Sequence, residues 1–256
     1  MIDPRLDVID KRLEPVGRII PVSSAKGGVG KSVCAALLAQ SFARQGYRTG
    51  LLDLDFQGAS AHLLLDVELE FPEEESGIKP LRTGNLDFMS FAAFSRERAV
   101  PLRGSAVSQA MLELMAITIW DPLEILLIDM PPGIGDEIFD VLRYLRDPEF
   151  LVVTTPSSLV RHVVERLLAM LSELGVSMIG VIENMVRSDT DSQTAELASK
   201  YGTTVLGSIP FVEGIEDLLA AASRGKTLPD TLANTVRSVS ARIASAGTND
   251  NGPSSG

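Results

Sequence analysis

Ten residues, Ser23-Ser24-Ala25-Lys26-Gly27-Gly28-Val29-Gly30-Lys31-Ser32, constrain this chain more than any others. They follow the apolar run Ile19-Ile20-Pro21-Val22 and open an Ala/Leu-rich segment of helical period, so they read as strand, glycine-rich turn and helix N-terminus. Glycines in such a turn let backbone N–H groups converge on an anion, and the helix dipole adds positive potential. Lys31 can then reach β- and γ-phosphates, and the Ser32 hydroxyl can ligate Mg²⁺. The stretch is a phosphate cradle by design of its backbone. It departs from G-x-x-x-x-G-K-[ST] at its first position, where Ala25 replaces glycine, and it carries a second, early lysine, Lys26.

The rest of the chain alternates strands and helices. Apolar runs at 49–54, 86–91, 123–129, 150–154, 176–183 and 204–206 predict strands, and helical periods are read at 3–13, 33–44, 60–65, 105–119, 137–145, 157–174, 190–201, 214–224 and 229–245. This order predicts a doubly wound, mostly parallel α/β sheet. Two of the strands end in acids, at Asp53-Leu54-Asp55 and at Asp129, and the carboxyl ends of such strands are where ligands bind. An aspartate there can hold Mg²⁺ through water, and the Met130-Pro131-Pro132-Gly133 turn after it can sense a γ-phosphate. Residues 66–83 read as an exposed acidic connection, 92–104 as an arginine-bearing loop open to a partner contact, and 207–211 as a turn. Residues 1–246 are expected to form a single domain and 247–256 a disordered tail.

Composition narrows the function classes. A formal net charge of −11 argues against non-specific binding to nucleic acid or to an anionic membrane. The helix at 229–245 has only two arginines and reads as a packed amphipathic helix, not a membrane anchor. One cysteine, Cys34, allows no internal disulfide and no four-thiolate site within one subunit, and its place in the helix after the cradle predicts a small core residue. No run of about 18 apolar residues is present. The expected location is the cytoplasm.

The cradle and three further segments carry a resemblance. K-G-G-V-G-K-S at 26–32 is similar to the deviant Walker A of the MinD/ParA superfamily. Asp53-Leu54-Asp55-Phe56-Gln57-Gly58-Ala59-Ser60, Ile128-Asp129-Met130-Pro131-Pro132-Gly133-Ile134-Gly135-Asp136-Glu137 and Gly180-Val181-Ile182-Glu183-Asn184-Met185 resemble switch I, switch II and the E-N-M segment of the Mrp (ApbC-like) ATPases. With Gly207-Ser208-Ile209-Pro210 the resemblance runs from about residue 17 to 245.

The resemblance implies a P-loop ATPase with ATP and Mg²⁺ as cofactors, working as a homodimer. Lys26 would contact the partner subunit's phosphates. Lys31 and the segment Gly27, Gly28, Val29, Gly30, Lys31, Ser32 and Val33 would hold the nucleotide's phosphates. Ser32, Asp55 and Asp129 would serve the metal, with Asp55 also orienting or deprotonating the attacking water and Asp53 supporting it. Asn184 would recognise adenine and Pro210 would line the base site. Many members also carry a C-x-x-C pair after the E-N-M segment, through which two subunits share an iron–sulfur cluster; here Val186-Arg187-Ser188-Asp189-Thr190-Asp191-Ser192-Gln193 contains no cysteine. The leading expectation is therefore a dimeric ATPase switch read by an unidentified protein cargo. An iron–sulfur cluster carrier or assembly ATPase, a MinD/ParA-like positioning ATPase and an ATP-dependent transferase or ligase are the alternatives.

Overall fold

In the computed structural model, which describes residues 3–56, 58–69, 77–95, 104–187 and 193–246, the cradle sits at the carboxyl end of a central strand. That strand, β1 (Val16–Ser23), is followed by α2 (Lys31–Arg44), after a first helix α1 (Arg5–Leu13). Then come β2 (Thr49–Asp53), α3 (Ala61–Leu64), β3 (Leu81–Thr83), β4 (Leu86–Ser90), α4 (Ala92–Ser95), α5 (Ser105–Ile117), β5 (Leu123–Asp129) and α6 (Asp136–Tyr144). The second half holds β6 (Phe150–Thr154), α7 (Ser158–Glu173), β7 (Met178–Val186), α8 (Thr194–Lys200), β8 (Val205–Pro210), α9 (Ile215–Ser223) and α10 (Asp230–Ala246). The described strands form one eight-stranded sheet in the order β3-β4-β2-β5-β1-β6-β7-β8. Every pairing is parallel except β3 with β4.

The strand order explains where the cradle lies. From β1 the chain crosses to β2 on one side, and β6, β7 and β8 build outward on the other, so the order reverses beside the end of β1. A crevice opens at such a switch point, outside the strands' carboxyl ends. All residues of β2, β4 and β6 are buried, as parallel strands covered on both faces require. The small side chains of α2, Ala35, Ala36 and Ala39, let it lie close to β2 and β5, while Leu37, Leu38 and Phe42 fill the core around it. Helices α3, α9 and α10 also pack against α2; α1 packs with α5 and α6. Asp3 starts α1 by accepting the backbone N–H of Arg5 at 3.0 Å, with Pro4 between them.

Three local expectations are corrected. Within the 66–83 connection, Leu81–Thr83 forms the antiparallel edge strand β3, and Ile78 is buried and bridges Thr118. The Gly84 turn, with φ at 61°, joins two runs too short for periodicity to register. Ala92–Ser95 forms a helical turn inside the 92–104 loop. The 207–211 turn is largely strand, because β8 runs to Pro210 along β7 through register shifts that break the two-residue alternation. The acidic run 73–75, the arginines at 96, 98 and 103, and the 247–256 tail lie outside the described residues. Cys34 is fully buried, as its position in α2 predicts.

Helix α10 closes over the β8 edge at Gly207, where an added Cβ would sit 2.6 Å from Val239 Cγ2. A β-branched neighbour has little room to yield. Gly207→Ala is expected to destabilise the fold by about 1–3 kcal/mol, read as a lower urea midpoint at unchanged m-value.

Candidate functional site

The turn between β1 and α2 is built by two left-handed glycines, Gly28 at φ 81° and Gly30 at φ 79°. Gly30 is required twice, since a Cβ there would also fall 2.2 Å from Asn184 Nδ2. Gly30 occupies the N-cap of α2 without a side-chain cap, and no acid stands in the helix's first turn. The first N–H groups of α2 are therefore left for an anion, and the helix dipole adds to their pull. One hydrogen bond braces the loop from within, Ser24 Oγ donating to Lys26 O at 3.2 Å, and two from outside, Gly133 N to Ser24 O at 2.9 Å and Asn184 Nδ2 to Val29 O at 2.9 Å. The Pro132-Gly133 turn thus lies against the cradle, with Pro132 Cβ 3.9 Å from where a Gly27 Cβ would be.

Beneath the loop the parallel register aligns Asp53 of β2 with Asp129 of β5, and Val22 of β1 with Asp129. Two carboxylates are thereby forced side by side in a dry place, Asp53 at 1% exposure and Asp129 at 0%. Lys31, itself buried, forms an ion pair with Asp129 Oδ1, and its Nζ lies 3.4 Å from Ser32 Oγ. Burial pushes the Asp129 carboxyl above the ordinary carboxylate range, and the Lys31 ammonium pulls it back. For Asp53, burial first and the neighbouring Asp129 second push the carboxyl up to about 7, opposed by the backbone N–H of Asp55. That N–H donates to Asp53 Oδ1 at 3.0 Å, and Ser90 Oγ donates to Asp53 Oδ2 at 3.3 Å. Asp55 is half-buried and accepts the Gly58 N–H at 3.0 Å.

The fit to a divalent cation can be judged from this donor set. Asp129 Oδ2 is buried with no hydrogen-bond partner among the described residues, an orphaned acceptor close to the Ser32 hydroxyl's end of α2. A hard cation seeks such oxygens, directly or through its water shell, and an unpartnered carboxylate oxygen in the interior is otherwise costly. The residues fit Mg²⁺.

Lys31, Ser32, Asp53, Asp55 and Asp129 are thus brought together with the Gly27–Val33 turn. Lys26 stands apart, exposed and without an ion pair among the described residues, on the outer face of the loop. Asn184 is buried against the loop through Val29 O, and Met185 beside it adopts φ 59°. Pro210 lines a recess of about 590 Å³ with Val186, Arg187, Ser208 and Phe211, and the Arg187 guanidinium lies 4.4 Å over the Phe211 ring. Sequence reading missed Ser90, Arg187 and Phe211. Ser90 and Phe211 stand, like the acids, at the ends of strands, and that position was the available signal.

A model of the NUBPL iron-transfer P-loop NTPases matches residues 15–244. The chain belongs to that family. An iron-sulfur cluster carrier protein of Rickettsia felis is 33% identical over 222 residues, covering 86% of this chain and 69% of its own. A nucleotide-binding protein of Archaeoglobus fulgidus, solved in complex with ADP, superposes with a TM-score of 0.73 at 29% identity, over 88% of this chain and 94% of its own. The cell-division ATPase MinD of Pyrococcus furiosus shares the fold, with a TM-score of 0.67 at 20% identity over 90% and 99% of the two chains. The Mrp and MinD/ParA resemblance and the P-loop α/β fold read from the motifs are those found. Family membership makes the chain a nucleotide-binding P-loop NTPase.

The Lys31–Asp129 pair should dominate the energetics of the site. Lys31→Met leaves Asp129 buried and unpaired and is expected to cost roughly 3–5 kcal/mol. Lys31→Met combined with Asp129→Leu removes both charges and is expected to recover most of that loss. Urea denaturation of the two single variants and the double variant measures the coupling; additive losses would show that the pair does not hold the site together.

Proposed function

We propose that this chain is an ATP-hydrolysing switch that works in iron–sulfur cluster traffic. The observation that carries the reading is the convergence of the α2 N-terminus, Lys31, Ser32 and the orphaned Asp129 oxygen on one glycine-rich turn. The ADP complex of the Archaeoglobus fulgidus protein supports the nucleotide. The names of the relatives favour the cluster-carrier reading over a switch of unspecified cargo.

In this reading the Gly27–Val33 turn and Lys31 bind the β- and γ-phosphates, and Lys31 exchanges Asp129 for phosphate oxygens. Ser32 and Asp129, with Asp55 nearby, would hold Mg²⁺, which when bound would supply positive charge to the phosphates. Asp55, the most accessible of the three acids, orients the attacking water and takes its proton, while Asp53, kept in place by Ser90 and the Asp55 N–H, supports it. Asn184 and Pro210 flank the adenine. Lys26 faces outward and acts in trans, on the nucleotide of a second copy, so that ATP is sandwiched between subunits. Loss of the γ-phosphate releases the Gly133 turn, and α6 moves with it.

The cluster itself is cargo, and this chain's own residues do not fit it. Iron–sulfur clusters are held by thiolates. The chain has one cysteine, Cys34, fully buried, with its thiol pushed far up by burial and by the Asp129 charge. Among the described residues no group of three His, Cys, Asp or Glu side chains could hold a metal. The thiolates must therefore come from another chain, and this one contributes the ATP-driven movement.

Light scattering after size exclusion tests the switch. Wild type is expected to dimerise with Mg-ATP and to revert with Mg-ADP, and Lys26→Ala to lose the dimer or its turnover; a protein monomeric throughout would rule the mechanism out. Anaerobic reconstitution with iron and sulfide tests the assignment of ligands. No cluster is expected on this chain alone, and one stoichiometric cluster per dimer would overturn the assignment.

A further inference from the structure

The end of β4 lies against the loop that carries Asp55. The parallel register sets Ser90 beside Asp53, and Ser90 is fully buried. Its Oγ accepts the N–H of Ala92 at 3.2 Å and donates to Asp53 Oδ2 at 3.3 Å. The hydroxyl's one proton is thereby committed to the carboxylate, and a backbone N–H anchors the oxygen that carries it. The other oxygen of Asp53, Oδ1, accepts the N–H of Asp55 at 3.0 Å. A carboxylate gripped at both oxygens has lost its freedom to turn, so the Asp55 backbone starts from a fixed point.

The residue after Asp55 is held as well. Phe56 is buried, and its ring meets Phe91, the residue after Ser90, edge to face with centroids 4.8 Å apart. Phe91 lies beside Phe94 of α4 at 6.3 Å, and the N–H of Phe94 donates to Phe91 O at 3.0 Å. Two consecutive residues at the β4–α4 junction thus bracket Asp55, one through hydrogen bonds to Asp53 and one through ring packing on Phe56. Asp55 itself is half-buried between them, its Oδ1 accepting the Gly58 N–H at 3.0 Å. The cradle is built elsewhere, by β1 and α2, and both β2 and β5 stand between β4 and β1 in the sheet.

We propose that Ser90 and Phe91 are positioning residues for the Asp55 carboxylate, setting the rate of ATP hydrolysis and not the affinity for nucleotide. The inference rests on the function proposed above, in which Asp55 orients the attacking water. Ser90 acts through Asp53, and Phe91 through Phe56, on where Asp55 stands. A displacement of about 1 Å at a catalytic group costs on the order of 100-fold in rate. The same displacement leaves the first N–H groups of α2 where they are.

Single-turnover hydrolysis of Mg-ATP and equilibrium titration with ADP, on the full chain, test this with Ser90→Ala, Phe91→Ala and Asp55→Asn. Ser90→Ala removes the hydroxyl and Phe91→Ala the ring, so the two probe different contacts. Each is expected to hydrolyse ATP about 10- to 100-fold more slowly than wild type, with its affinity for ADP unchanged. The stoichiometry of ADP binding reports the folded fraction; should one variant fail to fold, the other decides. If wild type does not hydrolyse ATP, or Asp55→Asn hydrolyses it as fast as wild type, the function proposed above fails and takes this inference with it. If Asp55→Asn is impaired while a folded Ser90→Ala or Phe91→Ala turns over at the wild-type rate, the inference alone is overturned. A folded variant that loses as much ADP affinity as rate overturns it too, because β4 would then be shaping the cradle.

Discussion

The buried ion pair between Lys31 and Asp129 holds the architecture of the site together. Each partner is fixed by a different element, the lysine by the first turn of α2 and the aspartate by the last residue of β5, and each would be intolerable in the interior alone. The parallel register then places a second carboxylate, Asp53, beside the first. This crowding of acids, added to their burial, is unfavourable, as the upward displacement of Asp53 shows, and a proton or a nearby cation relieves it. The lysine answers part of the demand. The remaining orphaned oxygen on Asp129 is what gives the site its appetite for a metal.

The contrast with cluster chemistry is equally physical. The family and its relatives are named for iron transfer and cluster carriage, and their fold is the fold of this chain. Yet the one thiol here is locked in the core of α2, packed among alanines and leucines. Fold and nucleotide machinery can be retained while the ligand set for a cargo is absent, because the two depend on different residues in different places.

Much of this was legible in the sequence, for reasons that differ by residue. Gly28, Gly30, Lys31 and Ser32 are legible because phosphate binding demands those residue types at that spacing, and Asp53 and Asp129 because buried parallel strands make a terminal acid conspicuous. The doubly wound sheet follows from the alternation of runs. What stayed hidden depends on contacts between distant segments. Nothing local to Leu81-Arg82-Thr83 announces a strand until Leu86–Ser90 is there to pair with it. Ser90, Arg187 and Phe211 matter through what stands beside them in space.

The hydrogen bond from Asn184 to Val29 O ties the end of β7 to the crest of the glycine loop. Gly30 has no side chain because that amide occupies the space. In the function proposed above, where Asn184 takes the base and the turn takes the phosphates, the two ends of a nucleotide meet one mechanical body with a single backbone carbonyl as its joint. Recognition by such a body is not a sum of parts. Because that joint is closed before any ligand arrives, its spacing is fixed in advance, and adenosine and tripolyphosphate offered as separate fragments each forgo the advantage that fixed spacing gives the intact nucleotide.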